Sequence, residues 1–150
     1  MKKLALTVTV VLAMLGLYAL VIGFSPYGDN DVEGHVGIRV IDATGATVID
    51  DTLPFFEGDT FVEVLTRHYD VTVARDFTSI SGRAVLGIGP VMTDFVNDFL
   101  HITLHHPVYE GEDIVDYTIE VAQTGIDGLP LLDGVVVVFT ATSIGGGGSP

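Results

Sequence analysis

Three imidazoles fall within six residues, His101, His105 and His106, beside Phe99 and Thr103. Imidazole is the commonest metal ligand and changes charge near neutral pH, so this run is the first place to look for a metal or acid–base site. On a strand rising about 3.3 Å per residue, His101 and His105 share one face about 13 Å apart, while His106 points to the other. Zinc–imidazole bonds are about 2.0–2.1 Å long, so that pair cannot close on one ion without ligands from elsewhere. The spacing reads instead as the polar face of an antiparallel sheet. Phe99, His101, Thr103 and His105 are the candidate ligand-contacting row, with no metal and no catalytic residue assigned.

Other stretches that start like motifs do not finish as them. Asp29-Asn30-Asp31-Val32-Glu33-Gly34 sets oxygens at positions one, three and five and glycine at six of a calcium loop. Its twelfth position is Val40 where a bidentate Glu is required, so the EF-hand reading fails. Gly87-Ile88-Gly89-Pro90-Val91-Met92 lacks the third glycine of a dinucleotide fingerprint and the helix that should follow. There is no P-loop, no G-x-S-x-G and no H-E-x-x-H. The absence of cysteine excludes thiolate zinc sites, disulfide staples and cysteine nucleophiles. The pattern points to a non-enzymatic chain.

The elements that must carry the histidine row follow from periodicity. Val36, Ile38 and Val40 alternate with His35, Gly37, Arg39 and Ile41, the period-two pattern of a strand with one buried face. Ala43 to Ala46 is a turn and Thr47 to Phe55 a second strand, with Pro54 marking the edge of pairing. Thr60 and Glu63 have capping-box spacing ahead of an amphipathic helix of about ten residues, with Phe61, Val64, Leu65 and His68 on one face. Further strands are expected at 71–74, 77–80, 84–88, 99–105 and 115–122. In the last of these Val115, Tyr117, Ile119 and Val121 share a face. Asp133-Gly134 is a turn pair, and Val135 to Phe139 is apolar on both faces, which places that strand centrally in the sheet. One helix on a mixed sheet of five or more strands is an α+β domain.

Composition bounds the partners. Residues 4–24 carry no charge, and Lys2 and Lys3 precede them. At 1.5 Å per residue this run spans about 31 Å, matching the hydrocarbon core of a bilayer. It reads as an uncleaved signal-anchor, with a cleaved export signal as the alternative, and it orients the N-terminus to the cytoplasm and the rest outside. Residues 25–34 read as a linker, 35–144 as the domain and 145–150 as a glycine-rich tail. Beyond the apolar run there are four Arg, no Lys and 20 carboxylates. A chain so acidic offers no patch to release phosphate counterions, so nucleic acid is excluded as a partner. The carboxylate excess reads as a solvated surface adapted to a saline setting.

Three pieces in order resemble a known family: Leu53-Pro54-Phe55-Phe56-Glu57-Gly58-Asp59-Thr60-Phe61 through Leu65, then Phe77 to Gly82, then Thr124-Gly125-Ile126-Asp127-Gly128-Leu129-Pro130-Leu131-Leu132-Asp133-Gly134. Together they frame residues 35–142 and are similar to the transcobalamin-like C-terminal domain, a β-grasp-type module of bacterial surface proteins and animal cobalamin carriers. The resemblance implies a β-grasp-like sheet with one packed helix, displayed at a cell surface. The family's tryptophan has no counterpart, since the chain contains none. In the carriers a helical barrel completes the cobalamin site, and 150 residues leave no room for one. Cobalamin is therefore one candidate cofactor rather than an assigned one. The reading that follows is a membrane-tethered extracellular binding module for a small molecule or cofactor. The alternatives are a surface component assembling through strand edges and a cobalamin-capture accessory to a transporter.

Overall fold

Alternating β-branched residues build the first hairpin, as expected, but it starts earlier. The computed structural model describes residues 32–74 and 82–144. Strand β1 (Val32–Ile41) pairs antiparallel with β2 (Thr47–Phe56). Val36, Ile38 and Val40 are fully buried, which fixes the register, because a slip of one residue would turn all three to solvent. Residues 32–34, expected in the linker, belong to this strand; Val32 pairs with Phe56. Pro54 does not end the pairing but sits within the ladder opposite His35. It is tolerated because β2 is an edge strand, where a missing N–H faces solvent.

Helix α1 (Phe61–His68) begins at the expected box: Thr60 Oγ1 accepts from Glu63 N at 3.3 Å, and Glu63 Oε2 accepts from Thr60 N at 2.8 Å. Phe61, Val64 and Leu65 are buried, while His68, expected on the same face, is exposed because the helix ends there. Arg67 in the last turn donates to Asp59 at 2.8 Å and lies over the Phe56 ring, tying the helix to the end of β2. Thr60→Ala is expected to lower unfolding stability by about 1 kcal/mol and Thr60→Ser to restore most of it, read from urea unfolding of the full chain.

Strands β3 (Val71–Val73), β4 (Val85–Ile88) and β5 (Val91–Met92) form a small antiparallel sheet, β4 and β5 being joined by the Gly89-Pro90 turn. Long strand β6 (Asp98–Glu110) turns back into β7 (Asp113–Val121), and a short 3-10 turn (Ile126–Gly128) leads to β8 (Val136–Ser143). The main sheet has the order β2-β1-β8-β6-β7, with β8 parallel to β1 and antiparallel to β6. The doubly apolar run lies at the centre of the sheet, as expected. The architecture is α+β, a mixed sheet with one short helix.

Helix α1, the small sheet and the 3-10 turn all contribute to one core, on the sheet face that carries Ile38, Val40, Leu100, Leu104, Val137 and Phe139. The Phe61 and Phe139 rings meet at 6.3 Å. Among the described residues no element covers the other face of the sheet. No described helix is long and apolar enough to cross a membrane. The expected anchor at 4–24, the strand at 77–80 and the tail at 145–150 lie outside the described residues.

Candidate functional site

The open face is where the expected row sits. On β6, His101 pairs with Thr140, Thr103 with Val138 and His105 with Val136, so the three side chains alternate away from core residues Leu100 and Leu104. Phe99, His101, Thr103 and His105 are all half-buried. The Phe99 and His101 rings meet edge to face at 6.4 Å. Thr103 Oγ1 lies 3.1 Å from His105 Nε2, and the His105 ring is 6.4 Å from Tyr117 on β7. The row thus divides into two pairs: Phe99 with His101, and Thr103 with His105. His106 faces the opposite side, its Nε2 enclosed without a hydrogen bond and 3.4 Å from Glu120 Oε2. Among the described residues no three His, Asp or Glu side chains converge as a metal site.

The first pair borders a cavity. Strand β7 leaves β6 after Ala122 N donates to Ile102 O at 3.0 Å, so the edge of β6 from Phe99 to His101 is left open. The chain then crosses to the segment before β4. Ile126 N donates to Arg83 O at 2.9 Å, and Arg83 donates to both oxygens of Asp127, the shortest contact being 2.6 Å. The gap between the two attachments is a cleft of about 410 Å³, whose walls include Phe95, Phe99, His101, Gln123 and Thr124. That volume falls in the lower part of the range for pockets that hold small molecules.

Phe95 reaches this cleft at a conformational cost. Its φ of 60° places a bulky residue in the left-handed region, which costs of order 1 kcal/mol or more. A tight loop holds it there: Asp94 accepts from Val96 N and Asn97 N at 2.8 and 2.7 Å, and Phe95 N donates to Asp98 O at 2.9 Å. These donors, Asn97 foremost, hold the Asp94 carboxyl down at about 2. Sequence reasoning missed Phe95, Gln123 and Thr124. The Asp94–Asn97 turn chemistry was the only local sign, and nothing local marks the others.

Burial first, and then the Arg39 guanidinium, hold the His105 imidazole below its ordinary range. Arg39 itself lies across the open face and grips Asp50 with both carboxylate oxygens at 3.0 and 3.1 Å. A depressed histidine favours the fold when neutral. Its contribution is complete above the ordinary value of about 6.5 and is lost as pH falls through the folded value. The melting temperature of the full chain is therefore expected to fall more between about pH 8 and about pH 5 than that of His105→Gln.

No protein-family model matches this chain, and no curated protein is similar to it in sequence.

Proposed function

We propose that residues 32–144 are a non-catalytic binding module, held outside the cell membrane through residues 4–24, that captures a small molecule with a flat ring. The observation that carries this reading is the cleft where β7 stops short of β6, walled by Phe95, Phe99 and His101 and edged by the amides and hydroxyls of Gln123 and Thr124. Aromatic edges and faces recognise a planar ring, and the polar groups fix its orientation. A net negative domain favours neutral or cationic ligands over anions. The order β2-β1-β8-β6-β7, with β8 parallel to β1 and the helix after the first hairpin, supports a β-grasp-like fold and the transcobalamin-like resemblance.

The reading is tested with neutral and cationic heteroaromatic fragments titrated against the full chain in detergent micelles, observed through ligand NMR signals. Binding at millimolar concentration that weakens at least tenfold in both Phe99→Ala and His101→Ala is the expected result. Binding indifferent to both substitutions, or none at all, contradicts it. A corrinoid is too large for the cleft and would lie across the open face. Titration with aquocobalamin addresses it separately, since an imidazole replacing the axial water changes the visible spectrum. An unchanged spectrum at saturating corrinoid removes cobalamin and leaves the cleft reading standing.

A further inference from the structure

The β7 edge is a second surface, distinct from the cleft. Every residue of β7 is exposed, and Tyr117, Ile119 and Val121 are 39%, 62% and 47% accessible along the face continuous with His105 and Thr103. An extra residue at Val115, between the pairs Val108–Asp116 and Tyr109–Ile114, makes a bulge that leaves 116–121 as the regular part of the edge. Ala122 N–H points inward to Ile102 O. Successive residues direct their backbone groups to alternate sides, so the N–H and C=O of Tyr117, Ile119 and Val121 point outward. Tyr117 N donates to Asp116 Oδ1 at 2.8 Å and Val121 O accepts from Gln123 Nε2 at 3.1 Å, while the other four groups face the edge. A long edge with outward apolar side chains is a template for another strand.

We infer that the occupant is a second copy of this chain, paired antiparallel through β7 about a two-fold axis at Ile119. In that register Ile119 faces its own counterpart, Tyr117 faces the partner's Val121, and Thr118 faces the partner's Glu120. Ile119 N–H and C=O, Val121 N–H and Tyr117 C=O thereby gain backbone partners, about four N–H···O bonds in all, and two more form where Tyr117 N exchanges Asp116 for the partner's Val121 O. The apolar pairs fall together on one face, and no carboxylate stands directly opposite another. Glu120 meets its counterpart only on the diagonal, about 7–8 Å away, where salt screens the repulsion. The interface is isologous and joins the two main sheets into one. Its seven-residue length places it among weak, concentration-dependent interfaces. A lysine-bearing strand of another protein would also meet carboxylates here, but the match of the apolar row Tyr117, Ile119 and Val121 to itself needs no such partner.

The chain has no cysteine, so single replacements report contacts cleanly. Opposed residues of a hydrogen-bonded antiparallel pair lie about 5.5 Å apart at Cα, within disulfide reach. In the full chain in micelles, Ile119→Cys is expected to form disulfide-linked dimers at least tenfold faster than Thr52→Cys on the opposite edge. Sedimentation should show self-association that tightens from about 0.05 M to about 0.5 M NaCl, as screening relieves like charge, and weakens at least tenfold in Ile119→Lys. Equal cross-linking rates, association unmoved by Ile119→Lys, or a monomer at all concentrations overturns the proposal. So does a chain that stays monomeric yet binds a peptide of alternating Lys and Val, binding that weakens with salt, since that result would assign the edge to a basic partner.

Discussion

Phe139→Ala is expected to destabilise the domain by about 3–5 kcal/mol, the largest effect of any single truncation in the main sheet. Phe139 has no accessible surface, stands in the central strand between Val40 and Ile102, and carries the ring against which Phe61 of the helix packs. Removing it loses the transfer free energy of the ring and leaves a cavity that strands hydrogen-bonded on both sides cannot collapse to fill. Phe139→Leu keeps most of the volume and is expected to cost less than about 1.5 kcal/mol. Urea unfolding of the two variants beside the parent chain checks both figures. A loss under about 1 kcal/mol for Phe139→Ala would contradict a core centred on β8.

The second large effect is expected at Gly125, where the strand-to-turn crossing forms a wall of the cleft. A Cβ there would overlap Arg83 O and lie 2.7 Å from Gly82 C, both backbone atoms that no rotamer change can move. The same approach permits the Ile126–Arg83 backbone bond and the Arg83–Asp127 fork. Gly125→Ala therefore forces the two segments apart. Overpacking against backbone is expected to cost about 1–3 kcal/mol, or more if the crossing detaches. Because Gly125 lines the cleft, the variant is also expected to lose heteroaromatic binding at least tenfold at temperatures where it remains folded. Arg83→Ala, which removes only an exposed ion pair, should change stability by less than about 1 kcal/mol. Equal losses for the two variants would show that the fork, rather than the close backbone approach, holds the crossing.

The contrast between these sites explains what could be read from the chain alone. The Thr60–Glu63 box and the doubly apolar run of β8 are local patterns with one physical solution, and both stand where periodicity put them. The start of β1 was hidden because Val32-Glu33-Gly34 has the composition of a linker. It is held in the sheet by the end of β2, where Val32 pairs with Phe56 and Gly34 with Phe55, and the distant Asp133 fixes the next residue by accepting from His35 N at 2.7 Å. Alternation in β7 revealed a strand and a shared face for Tyr117, Ile119 and Val121, but it carries no information on whether that face is wet. The row from Phe99 to His105 was legible as one face of β6. Its division was not, because where β7 ends relative to β6 depends on the approach of Gly125 to Arg83, 42 residues away in the chain. Pairing distance, not residue type, decided which members of the row border a cavity.

The cleft reading is tested most directly by mapping where a ring binds. Two-dimensional NMR of the isotope-labelled full chain in micelles, with the tightest heteroaromatic fragment added stepwise, is expected to shift backbone signals of Phe95, Phe99, His101, Gln123 and Thr124 together along a single saturation curve. Thr103 and Tyr117 should move little. Shifts gathered on β2 or along the Arg39–Asp50 side of the open face, with the five cleft residues unmoved, would contradict the account.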